Sequence, residues 1–222
     1  LADPVQENLL REIQEDLRKE KLEKLWKRYG SLLIAAAVAV VVIVAGYQGW
    51  RAWELSRREA RSAAFIAAEN LAQADPAAAV DAFAAIAGKG SDGYALLAGF
   101  RQAALLAEQD RREEAARVYD RLAATTDEPL YRDLASLRAA ALRLGDGAPG
   151  EDLDRLAESL AALSEDTNPW RYSARELSGI LAVQRGDTAR ARELFGKLES
   201  DIETPQGIRE RASEMLSRLS ES

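Results

Sequence analysis

Residues 177–198 read LSGILAVQRGDTARARELFGKL, and residues 100–122 read FRQAALLAEQDRREEAARVYDRL. In the first stretch a small residue, Gly179, is followed by Gly186 in a turn, a second small residue, Ala191, and an aromatic, Phe195. In the second, Ala103, Ala115 and Tyr119 stand in the same register. Gly179 against Ala103 and Ala191 against Ala115 share one offset of 76 residues. Small residues at these positions let two helix axes approach closely, and the ring one turn later fills the space toward the next pair. Each stretch therefore reads as a helix, a short turn and a second helix returning along the first.

Working outward, a weaker copy carries Ala67, Ala79 and Phe83, and between the clear copies Leu153, Leu156, Leu160 and Leu163 form an apolar stripe at helical spacing. Pro76, Pro129, Pro149, Pro169 and Pro205 all fall between apolar-periodic segments, and no stretch alternates with period two. The chain reads as all-α, with helices at about 51–73, 77–87, 92–109, 111–125, 130–144, 151–164, 169–185, 188–200 and 205–220. Asp75-Pro76 is a helix-starting pair, and Asn168-Pro169 and Thr204-Pro205 repeat it. Antiparallel pairs repeating at about 34 residues are the signature of a tetratricopeptide-like (TPR-like) solenoid, whose curved face binds partners. The competing reading is an irregular helical bundle in which Gly and Ala are ordinary helix composition.

Upstream lies a different kind of segment. From Tyr29 to Trp50 the sequence YGSLLIAAAVAVVVIVAGYQGW holds no charge over 22 residues, about 33 Å of helix. That length crosses the roughly 30 Å hydrocarbon core of a bilayer. Its nine Leu, Ile and Val residues favour insertion by roughly 3 to 5 kcal/mol in sum. Trp26 and Tyr29 stand at one end, and Tyr47, Trp50 and Trp53 at the other, where amphipathic rings favour the membrane interface. A cleaved signal peptide has a shorter apolar core and a short basic leader. Here the leader is 28 residues long with seven acids and seven bases, so an uncleaved anchor is expected.

Lys and Arg set its orientation. Seven precede the stretch (Arg11, Arg18, Lys19, Lys21, Lys24, Lys27, Arg28), and Arg51, Arg57, Arg58 and Arg61 follow it closely, which places the N-terminus in the cytoplasm. The expected organisation is a charged cytoplasmic tail over 1–28, a single transmembrane helix over 29–50, a helical connector over 51–75 and a TPR-like domain over 76–222 outside the cytoplasmic membrane, in a periplasm if the source is a Gram-negative bacterium. Within the tail, Val5, Leu9, Ile13 and Leu17 make one stripe that breaks at Glu20 and Lys21. It reads either as a partner- or lipid-binding helix or as a solvated extension of the anchor.

Composition narrows the chemistry. The chain has no cysteine and no histidine, which removes disulfides, thiol nucleophiles, Cys/His zinc sites and imidazole catalysis. Its net charge of −7 is opposite to what nucleic-acid binding requires. Residues 76–222 carry 19 bases and 26 acids and so hold the whole of that excess. Glu151, Asp152 and Asp154 follow Gly150 where a first-turn acidic run complements the helix dipole, in preference to a cation or acid–base site. Gly145, Gly147 and Gly150 in LGDGAPGED match a phosphate loop only in glycine count, lacking the Lys-Ser/Thr and the preceding strand, and read as a turn. Arg111 and Arg112, and Arg190 with Arg192, interleave with Glu113, Glu114 and Glu193 as solvated faces. No catalytic residue, cofactor, metal or small-molecule substrate is expected.

The order of features, an anchor ending in GYQGWRAWELSRREARSAAFIAAENL, then DGYALLAGFRQAALLAEQDRREEAARVYDRLA and the late RELSGILAVQRGDTARARELFGKL, resembles the YfgM-like family of ancillary Sec translocon subunits over nearly the full length. That resemblance implies a single-span inner-membrane protein whose periplasmic TPR-like domain associates with the SecYEG channel and with a PpiD-like membrane-anchored chaperone, without enzymatic activity. The rivals are a TPR-like coordinator of envelope assembly or cell division, and an enzyme working with carboxylates alone.

Overall fold

Helix boundaries here are set by residues that cannot continue a helix or that cap one. A computed structural model describes the backbone of residues 4–89, 93–145 and 150–221, and the side chains of 26–89, 93–145 and 153–221. Among the described residues there are nine helices and no strand: α1 (Pro4–Ala74), α2 (Pro76–Ala87), α3 (Gly93–Glu108), α4 (Arg112–Thr125), α5 (Pro129–Gly145), α6 (Gly150–Leu163), α7 (Arg171–Gln184), α8 (Thr188–Ser200) and α9 (Gln206–Glu221). The stripe Val5, Leu9, Ile13 and Leu17, the side chains of Glu151 and Asp152, and Gly147 lie outside the described residues.

Asp75 caps α2, its carboxylate accepting from the Ala78 N–H at 3.0 Å, with Pro76 in the first turn. The other two Xaa-Pro pairs do not repeat this, which corrects the sequence expectation. Asn168 turns its side-chain oxygen to the Trp170 N–H at 2.8 Å and donates its amide to Asp133 of α5 at 2.8 Å, and α7 starts only at Arg171. Thr204 is buried with its hydroxyl unbonded, and α9 starts at Gln206. Asn168 thus divides its amide between a local turn and α5, and Thr204 is buried without capping α9.

The chain divides into two compact units, Leu1–Ala60 and Arg61–Ser222. In the first, the described part of α1 leaves its apolar side chains uncovered: Leu32, Val41 and Ile43 are 66, 66 and 69% exposed. It is one helix long and apolar enough to cross a membrane.

The second unit holds three consecutive apolar clusters. The first joins Ala68 of α1 with Phe83, Ala98, Leu106 and Tyr119 and ends on Ala135 and Ala139 of α5. The second takes Leu137, Ala140 and Leu144 from the same α5, adds Leu156, Leu160 and Leu163 of α6, and ends on Ala174 and Leu181 of α7. The third takes Tyr172 and Ala182 of α7 with Phe195 and Leu198 of α8 and Ile208, Ala212 and Leu219 of α9. Thus α5 and α7 each carry two apolar faces and are shared between neighbouring clusters, the arrangement that makes a repeat stack continuous.

The turns of the two clear repeats share the hydrogen bonds that end their first helices. Asp110 (φ 58°) and Gly186 (φ 75°) are the left-handed residues. The next residues' N–H groups, of Arg111 and Asp187, reach back to the carbonyls of Leu106 and Ala182, both at 2.9 Å. Every one of these atoms is displaced by the 76-residue offset read from the sequence, and the bonds are those of a Schellman-type helix end.

Glycine adopts this left-handed conformation freely, whereas a side chain with a Cβ pays roughly 1–2 kcal/mol, somewhat less for Asp. Around Gly186 there is open space, so only its backbone angle matters. Gly186→Ala is therefore expected to lower stability by about 1 kcal/mol, and Asp110→Gly to leave it unchanged or raise it by up to about 1 kcal/mol. Denaturant titration of the two variants checks the opposite signs, and two changes of the same sign contradict the shared turn geometry.

Candidate interaction surface

The repeat-packing residues lie where helices close on one another. Ala103, Ala115 and Ala191 are fully buried, Phe195 is 1% exposed, and Tyr119 and Gly179 are also buried. A Cβ added to Gly179 would sit 2.7 Å from the tip of the Phe195 ring, closer than carbon atoms approach, so the ring occupies the volume an alanine would need. A second close approach, which the sequence reading missed, puts a Cβ on Gly99 2.7 Å from Leu122. It has the same small-against-large logic with an aliphatic knob, a residue type too common in helices to stand out.

Ion pairs link helices that are two apart in the chain. Arg101 of α3 donates to both oxygens of Glu69 on α1, at 3.0 and 3.3 Å, and Arg211 of α9 grips Glu176 of α7 at 2.6 and 2.9 Å. The Glu176 hydrogen bond is the main reason the Arg211 guanidinium titrates above its usual value. The Arg211–Glu176 pair is bidentate, which makes it more directional than an ordinary surface contact, whereas Arg101 shares one Nε–H between the two Glu69 oxygens.

Between α6, α7 and α8 lies an open cleft of about 620 Å³. Half-buried Leu194 contributes apolar surface above the buried Leu181, Ala182 and Leu198, and Arg175, Arg185, Arg190 and Lys197 contribute cations. The cations are locally balanced. Arg175 donates to the Ser164 carbonyl and pairs with Asp166, Arg185 pairs with Asp154, and Glu193 takes both Arg190 and Lys197. Apolar ground with compensated charges suits a polypeptide, which offers side chains and backbone polar groups together, better than a highly charged ligand. Of these residues the sequence reading singled out Arg190 and Glu193, as a solvated face, and Asp154, as part of a first-turn acidic run. The signal was present on α7, where Arg175, Ser178, Ala182 and Arg185 recur at i, i+3, i+7 and i+10.

The aromatics expected at the membrane interface, Trp26, Tyr29, Tyr47, Trp50 and Trp53, are 64, 45, 61, 62 and 53% exposed. Among the described residues no group of three or more Asp, Glu, His or Cys is disposed to hold a metal ion. Asp154 is paired with Arg185.

These features define a helical-repeat protein built for contact with other polypeptides. The chain belongs to the tetratricopeptide repeat-like domain family, which it matches over residues 23–210, a range that takes in the uncharged stretch as well as the repeats. No curated protein and no solved structure matches it.

Two predictions follow from this geometry. Gly179→Ala should cost about 1–3 kcal/mol by driving a Cβ into the Phe195 ring, and Phe195→Leu in the same chain should make the glycine substitution less costly than it is alone. Strict additivity in the double-mutant cycle refutes the contact. The second concerns acid. Hydrogen bonds from Lys197 and then Arg190 hold the Glu193 carboxyl below its ordinary value of 4.5. Its contribution is therefore present above 4.5 and fades as pH falls through the lowered folded value. Melting curves below pH 4.5 should show a shallower acid loss for Glu193→Gln than for the parent, with a small difference at neutral pH because the pair is exposed.

Proposed function

We propose that this chain is a membrane-tethered, non-catalytic TPR-like scaffold, with its N-terminus in the cytoplasm and its repeat domain in the periplasm. It binds partner proteins beside the Sec translocon and assists export and chaperone recruitment. The observation that carries this reading is the joint membership of span and repeats in one family match, together with an apolar helix that no protein covers. TPR-like domains bind partner proteins, and an anchor confines such a domain near other membrane proteins. Confinement raises effective concentration toward the millimolar range without adding a contact, so a weak interaction through the α6–α8 cleft becomes well occupied. SecYEG and a PpiD-like chaperone are the partners favoured by the resemblance of the anchor and repeat blocks.

Orientation is tested by a periplasm-active reporter fused after Ser222, which should be active while a cytoplasm-active one is silent; the reverse pattern rejects the topology. Partner choice is tested by mild-detergent purification of the full chain with mass spectrometry. Recovery of SecYEG supports the reading, and recovery of wall-synthesis or division proteins in its place supports a coordinator of envelope assembly. A foreign single span of the same orientation should restore much of the partner recovery that a soluble 51–222 fragment lacks. If it restores nothing despite correct insertion, the native span is itself the recognition element.

A further inference from the structure

Resting on the membrane-span reading, we propose that the C-terminal rim of the apolar stretch, from Tyr47 to Arg58, binds the phosphate of anionic phospholipids. The rim alternates rings and guanidinium groups. Arg51 stacks over Tyr47 with its guanidinium carbon 5.8 Å from the ring centroid, and Arg57 over Trp53 at 4.6 Å. Trp50 lies between them, its ring centroid 5.7 Å from that of Trp53.

Each arginine follows its ring by four residues. Helical side chains lean toward the N-terminus, so stacking draws both charges back along α1 toward the apolar stretch instead of outward into water. The depths agree. With the 22 uncharged residues spanning about 33 Å, the hydrocarbon boundary falls near Tyr47 to Trp50, and the next several ångströms, occupied by Arg51 and Trp53, lie in the headgroup layer.

Stacking uses the face of a guanidinium and leaves its edge, a planar fork of N–H donors that matches two phosphate oxygens. Among the described residues neither Arg51 nor Arg57 has a carboxylate partner, whereas Arg58 is paired with Glu54. Three arginines against one glutamate give this segment a net charge of +2 inside a chain of −7. A zwitterionic headgroup brings its own cation to compete for the phosphate. An anionic headgroup brings none, and an aromatic–arginine collar beside a hydrocarbon-length helix selects for it.

The test uses the full chain in vesicles of phosphatidylcholine with a minority of phosphatidylglycerol, carrying bromine on the acyl chains of one lipid at a time. Bromine quenches nearby tryptophan emission, and the chain with Trp50→Phe and Trp53→Phe supplies the background from Trp26 and Trp170. Brominated phosphatidylglycerol should quench Trp50 and Trp53 beyond its mole fraction. Arg51→Gln with Arg57→Gln should remove that excess entirely, Arg28→Gln should leave it intact, and glycerol phosphate in the medium should not displace it. Quenching in proportion to mole fraction overturns the lipid selectivity while leaving the anchor standing. An excess that survives the double substitution, or that glycerol phosphate removes, overturns the assignment to this rim. Absence of quenching by either lipid overturns the span reading and the proposal with it.

Discussion

The repeat domain depends on how closely two helix backbones can approach. At Gly179 the Phe195 ring fills the place of a Cβ, and at Gly99 Leu122 does the same. Packing of this kind is steep in distance, because one methyl too many is an overlap and one too few is a void. It fixes the crossing of a pair, and a fixed pair then presents two ordered outer faces. The sharing of α5 and α7 between successive clusters follows from that, since a helix can serve two cores only when its rotation about its own axis is set.

Much of this was legible before any coordinates. The helices and the 76-residue offset come from apolar periodicity and from small residues at fixed spacing, which are local properties. Features that depend on atoms far apart in the chain were not legible. Gly99 is unremarked in sequence because its partner Leu122 is an ordinary helix residue. Asn168 keeps a local bond to the Trp170 N–H, but its amide also donates to Asp133, 35 residues away, a contact no local pattern announces. Asp110 stands where its counterpart is glycine, and nothing in an EQDRR string announces a left-handed backbone. The cleft needs three helices to exist at all, so its α7 stripe reads as leftover polarity between core positions until α6 and α8 flank it.

The two units differ in the chemistry of their surfaces. In the first, Leu32, Val41, Ile43 and their neighbours remain uncovered, a state that is costly in water and favourable in lipid. In the second, large apolar side chains are mostly enclosed and acids outnumber bases over residues 76–222. An acidic domain is repelled by anionic membrane surfaces.

Ion pairing within the domain sharpens this division. Arg175, Arg185, Arg190 and Lys197 are engaged by three carboxylates, and Glu165, Asp187 and Asp201 also line the cleft, so they add no net attraction for phosphate, whereas Arg51 and Arg57 have aromatic rings as partners and keep their charge uncompensated. An arginine held by a carboxylate orients its neighbours, and one held by a ring still offers its edge to an anion. Whether the edge of an arginine stays open thus depends on the partner the fold supplies: a carboxylate from another helix or turn for Arg175 and Arg185, and a ring four residues back for Arg51 and Arg57.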